Sequence, residues 1–145
     1  MELTDETNDL VESAKNSLKD IFKLYICEFA YLTGSYARND QFTWSDIDIV
    51  ISNPSYLDLP SKDKLDYLLN ITTAISDALN FENIDLKILE TLPLHVQFLM
   101  IKDGKLIYEL DEEKTTDFVE NLLQVYYDHA IWYENYLDMA LSGDN

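Results

Sequence analysis

Basic residues are scarce in this chain, with 10 Lys and Arg against 28 Asp and Glu and a formal net charge of −18. A surface so negative repels phosphate backbones, which argues against extended contact with nucleic acid or an anionic membrane. It suits a basic protein partner, and it also suits plain solubility. Glycine and proline are equally sparse, three of each, so little chain is left for linkers or low-complexity segments, and no internal repeat is visible. The single cysteine, Cys27, has no internal disulfide partner and sits among apolar neighbours, as a small core residue in a reducing compartment would. No apolar run approaches the roughly 20 residues that a bilayer-spanning helix needs. The acidic opening MELTDETND lacks the basic-then-apolar order of a secretory signal. A cytoplasmic protein is expected. His95 and His129 stand apart from Cys27 and from each other, which argues against a zinc site.

What is present is a sizeable core. Hydrophobic residues make up 47% of 145 positions, enough for one folded domain spanning residues 1–145. Apolar residues recur at helical spacing over about Asp9 to Leu24, through Leu10, Val11, Ala14, Leu18, Ile21 and Phe22. They do so again from Ser61 to Leu79, through Leu65, Leu68, Leu69, Ile75 and Leu79. Strand-like runs are expected at Ile26–Leu32, Asp46–Ile51, Asn83–Leu89 and Lys105–Glu109, the last following an Asp103-Gly104 turn signal. A short helix is expected over Pro93–Met100 and a long one over Thr116–Leu141. In the long helix Val119, Leu123, Tyr126, Ala130, Tyr133, Leu137 and Ala140 form a regular stripe, expected to pack on the core. Tyr127, Trp132 and Tyr136 fall off that stripe and suit a partner-binding face. The order of elements predicts a mixed α/β (α+β) domain, with a small sheet flanked by helices and a long C-terminal helix.

The chemistry concentrates in YLTGSYARNDQFTWSDIDIVI, Tyr31 to Ile51. Residues two apart on a strand share a face, about 6.5–7 Å apart, so Asp46 and Asp48 point together while Ile47, Ile49 and Ile51 point into the core. Two such carboxylates in a partly desolvated site repel by roughly 3–4 kcal/mol at an effective dielectric of about 20. A divalent cation relieves that repulsion, and magnesium suits a site of one or two carboxylates plus substrate phosphates. Gly34 lets the backbone turn sharply and approach a ligand. The N–H groups that follow it and the Ser35 hydroxyl suit a phosphate oxygen. Asp85, in the strand-like NIDLKIL, is a third carboxylate, fit for a second metal or for taking a proton from an attacking hydroxyl.

Gly34-Ser35, a spacer, and Asp46-Ile47-Asp48 resemble the signature of the DNA polymerase beta-type nucleotidyltransferase superfamily. GSYARND…SDIDIVI looks most like its smallest branch, the minimal nucleotidyltransferase (MNT) antitoxins. The resemblance implies a nucleotidyltransferase fold, with Asp46, Asp48 and Asp85 as catalytic magnesium ligands. It implies Gly34, Ser35 and Arg38 as contacts to ATP, Arg38 matching the arginine usual in this branch. Asn39 departs from the glycine common after that arginine; asparagine tolerates the same left-handed turn. The family further implies transfer of AMP from ATP to a tyrosine of a HEPN-family ribonuclease toxin, held in a hetero-oligomeric complex. The rival readings are adenylyl transfer to a small molecule such as an aminoglycoside, or neutralisation by binding alone. Trp44 suits stacking on adenine or packing beside the site.

Overall fold

The structure is a computed structural model that describes residues 2–34 and 46–141, with side chains from residue 9 onward. Helix α1 (Glu2–Leu24) leads into β1 (Phe29–Thr33); β2 (Ile47–Ser52) is followed by a 3₁₀ turn (Pro54–Asp58) and α2 (Ser61–Leu79). Then come β3 (Ile84–Ile88), a second 3₁₀ turn (Leu89–Thr91), α3 (Leu94–Asp103), β4 (Lys105–Glu109) and α4 (Glu112–Leu141). The four strands form one mixed sheet in the order β3-β2-β1-β4. Strand β1 is antiparallel to both β2 and β4, and β2 is parallel to β3. A parallel neighbour requires a long crossover, and α2 supplies it.

Every residue of β1 is buried, and so is every residue of β2 except Asp48, because both faces of the sheet are covered. Ile47, Ile49 and Ile51 turn to one face, where Leu18 and Phe22 of α1 and Ile71 and Ile75 of α2 complete the core. Phe29, Tyr31 and Val50 turn to the other, against Leu89, Ile101 of α3 and Leu122 of α4. Alternation along β2 therefore does what its sequence demands: isoleucines to the larger core, Asp48 to the opposite face at the strand's open end.

Several expected boundaries move, each for a local reason. The strand expected from Ile26 begins at Phe29, because residues 25–27 close the end of α1. Ile26 adopts a left-handed φ of 61°, and the Cys27 N–H bonds back to the Phe22 carbonyl at 2.9 Å, a Schellman-type stop. Helix α2 ends the same way, here on Asn80 at φ 52°, a residue that tolerates the conformation better. In α2 the buried face is carried by Ile71 and Ile75, while Leu65 and Leu69 are exposed. Helix α4 starts earlier than expected because the Asp111 side chain accepts the Glu113 N–H at 3.0 Å and caps the first turn.

The largest correction concerns α4. Its expected core stripe packs only as far as Tyr126, which stacks on Phe98 of α3 with ring centroids 3.8 Å apart. Beyond it Tyr133 is 51% exposed, and only Ala130 and Leu137 are even half-covered. The periodicity was real, but the sheet and α3 are too short to cover the whole helix.

Buried polar groups are paired around the far end of β2. Glu90 accepts from the Ser52 hydroxyl at 2.6 Å and the Asn53 N–H at 2.9 Å. Tyr67 accepts from the Asn53 side chain at 3.1 Å and donates to the Tyr25 carbonyl at 2.7 Å. Cys27 is buried beside Tyr67, and desolvation pushes its thiol up to about 12. It is an inert core residue, as its neighbours in sequence suggested.

Candidate active site

The sheet order places β2 between β1 and β3, and that brings together residues far apart in sequence. Antiparallel pairing sets Thr33 opposite Asp48, so Gly34, next in the chain, lies beside the Asp48 carboxyl. Parallel pairing sets Asp48 opposite Asp85. Gly34 has φ +70°, and a Cβ built there would overlap the Asp48 carboxylate oxygen. Glycine is required twice over, by the left-handed backbone and by the space.

Asp48 is half-buried, and its acidity records its surroundings. Its pKa rises from 3.8 to about 6, first through desolvation, then through the charge of Asp85 and a hydrogen bond between the two carboxyl groups. The charge of Asp46 adds to the rise, and that of Lys87 opposes it. Two carboxyls forced together in this way make the charged form of Asp48 costly.

Asp46 stands just before β2 and is exposed. Among the described residues no three His, Cys, Asp or Glu side chains form a group ready to hold a metal ion. The arrangement is a close pair, Asp48 and Asp85, with Asp46 flanking it. The third carboxylate is drawn elsewhere: Lys87, two residues on along β3, holds the Asp85 Oδ2 at 2.5 Å. Lys87 is a residue of this cluster that the motif did not supply. Its signal was present in NIDLKIL, where a base at the same alternation as Asp85 must share its face.

These groups open into a cavity of about 350 Å³, lined by Thr33, Gly34, Asp48 and Lys87 on the sheet side and by Val96, Leu99, Met100 and Asp103 of α3. With a divalent cation on the Asp48 carboxylate, this floor and the one apolar wall would suit a ligand with an anionic end and a flat apolar end. The oxygen donors of Asp48 and Asp85, flanked by Asp46, suit a hard divalent cation. Ser35, Arg38, Asn39 and Trp44 lie outside the described residues. His95 and His129 sit on α3 and α4; His129 stacks against Trp132 at 6.0 Å.

The α+β sheet thus carries paired carboxylates on adjacent strand ends with a glycine turn against them. Residues 16–113, about two thirds of the chain, match the family described as Polymerase beta, Nucleotidyltransferase, and the chain belongs to that family. A search of curated proteins finds no match. Among solved structures, the chain is similar to a toxin–antitoxin chain crystallised with AMP-PNP, at 19% identity and TM-score 0.66, covering 88% of this chain and 98% of that one. It is also similar to a chain in the complex of a tri-AMPylated Shewanella oneidensis HEPN toxin with MNT antitoxin, at 16% identity and TM-score 0.62, covering 90% and 98%. A MntA-HepT toxin–antitoxin structure matches at 16% identity and TM-score 0.60, covering 88% and 97%. At these identities the likeness establishes the fold. No helix among the described residues is long and apolar enough to cross a membrane.

Proposed function

We propose that this chain is a magnesium-dependent adenylyltransferase that transfers AMP from ATP to a tyrosine of a HEPN-type toxin and thereby acts as its antitoxin. The observation that carries the reading is the convergence of Gly34 and Asp48 at the floor of a cavity walled by α3, with Asp85 paired to Asp48 on the neighbouring strand. Support for the partner and the transferred group comes from toxin–antitoxin structures that contain a chain of this fold, one with AMP-PNP and one with a tri-AMPylated HEPN toxin. The aromatic residues left exposed on α4, Tyr127, Trp132 and Tyr136, offer a surface for such a partner.

The chemistry asks little of the protein beyond positioning and charge. Asp48 and Asp85, with Asp46 beside them, would hold magnesium, which supplies charge neutralisation for the phosphates and the departing pyrophosphate. Gly34 leaves room for the chain to pass close to the phosphates. The acceptor phenol oxygen forms a bond to the α-phosphorus as the bond to pyrophosphate breaks. Where Asp85, on the edge strand β3, is not a metal ligand, it would accept the phenol proton. The Val96, Leu99 and Met100 wall gives the adenine an apolar surface.

The test incubates the protein with ATP labelled in its α-phosphate, magnesium and a HEPN protein encoded beside it. Label on the toxin, absent with Asp46→Asn/Asp48→Asn, supports the reading. Toxin neutralisation that survives the double substitution supports contact alone. Label transferred to an aminoglycoside in place of the toxin supports small-molecule transfer.

A further inference from the structure

Neither the glycine turn nor the aspartate set accounts for Lys87. It follows Asp85 by two positions in β3, so both side chains leave the same face, and that face lines the cavity. The ammonium sits 2.5 Å from Asp85, with the two side chains 37% and 43% exposed. Among the described residues lining the cavity it is the one base, facing Asp48 on the floor and Asp103 on the wall.

An ion pair this exposed adds little to stability, yet its placement creates a conflict. The carboxylate it occupies is one a divalent cation would take, and an ammonium and a metal ion cannot share that oxygen. Lysine carries its charge on a flexible four-carbon stem, so the ammonium can leave Asp85 without leaving the cavity. A phosphate arriving in the cavity would receive it.

We propose that Lys87 is a displaceable counter-ion of the nucleotide site: its ammonium neutralises Asp85 while the site is empty and passes to phosphate oxygens of a bound nucleoside triphosphate when a divalent cation takes the Asp85 carboxylate. The proposal rests on the nucleotidyltransferase reading above. It makes the empty protein a poor binder of free divalent ions and makes cation and nucleotide bind cooperatively, each removing an obstacle to the other. Lys87 thus couples the two binding events.

The experiment titrates manganese into nucleotide-free protein, followed by electron paramagnetic resonance, and separately titrates ATP at saturating magnesium by calorimetry. Lys87→Met should bind manganese about tenfold more tightly than wild type, because a competing charge at close range is gone. It should bind ATP about tenfold more weakly, and Lys87→Arg should restore the wild-type pattern. Asp85→Asn combined with Lys87→Met should abolish the gain in manganese affinity. Unfolding midpoints of the variants check that the fold is intact. Manganese affinity unchanged or weakened in folded Lys87→Met overturns the proposal, as does ATP affinity that is indifferent to Lys87. If wild type binds no ATP at all, the proposed function fails with it; if wild type binds ATP and only the Lys87 comparison is flat, the function stands and the counter-ion role falls.

Discussion

The α-carbon of Gly34 is packed so closely against the carboxyl of Asp48 that no side chain fits between them. Thirteen intervening positions separate the two in the chain, and the antiparallel pairing of β1 with β2 brings them together. Gly34→Ala should therefore damage the site directly. The left-handed backbone costs an L residue about 1–2 kcal/mol, and the added methyl must push Asp48 from its place. Displacement of about an ångström at a reacting centre can cost on the order of a hundredfold in rate. Comparing AMP transfer with the thermal midpoint would show a loss of activity out of proportion to the loss of stability.

Asp48 gives a pH signature. Its folded-state value of about 6 lies above the ordinary 3.8, so the folded protein holds this proton more tightly than the unfolded chain does. The contribution of this group to stability is then greatest below pH 4, declines as pH rises to about 6, and stays flat above. Asp48→Asn should raise the metal-free unfolding midpoint at pH 7, with the difference closing below pH 4. A divalent cation needs the ionised carboxyl, so its affinity should fall with decreasing pH below about 6.

Ile26 offers a stability gain away from the site. It is β-branched, 69% exposed and held at φ 61°, a conformation that glycine adopts freely and isoleucine resists. Ile26→Gly should stabilise the protein by about 1 kcal/mol in urea titrations. A destabilised variant would mean that the isoleucine side chain makes contacts worth more than the strain.

Helix α4 should behave as two halves. Leu122 is buried between the sheet and α3, and Leu122→Ala should cost about 2–4 kcal/mol. Trp132 is 60% exposed and touches only its helical neighbours His129 and Tyr136 among the ring contacts described. Trp132→Ala should change stability by no more than about 0.5 kcal/mol. Equal losses at both positions would show that the outer half is held by this chain's own core.

Tyr108 tests the cost of a buried hydroxyl. Its OH is buried with no hydrogen-bond partner among the described residues, and its ring packs on Phe22 at 5.2 Å. Tyr108→Phe should keep the packing and relieve an unsatisfied polar group, raising stability by roughly 1 kcal/mol.

Much of this architecture was legible in the chain. Helical spacing of apolar residues marked α1, α2 and α4, and apolar runs bounded by turn signals marked the four strands, because burial on one face or on both forces those patterns. The Asp46-Ile47-Asp48 alternation showed which side of β2 would carry charge, and Gly34 marked the turn. The outer end of α4 misled because periodicity reports that a face is apolar, without saying whose surface covers it. The misplaced start of β1 has a different origin: Ile26 looks like a strand residue, and only the hydrogen bond from Cys27 to Phe22 reveals it as a helix stop.

The sequence by itself determined the elements, the acidic surface and the residue types of the site, since these follow from local spacing and composition. Tertiary structure alone decided that Asp48 meets Asp85 across parallel strands and that Asp46 stands outside the pair. Those relations depend on strand order and register, and no local pattern encodes which strand will lie beside β2.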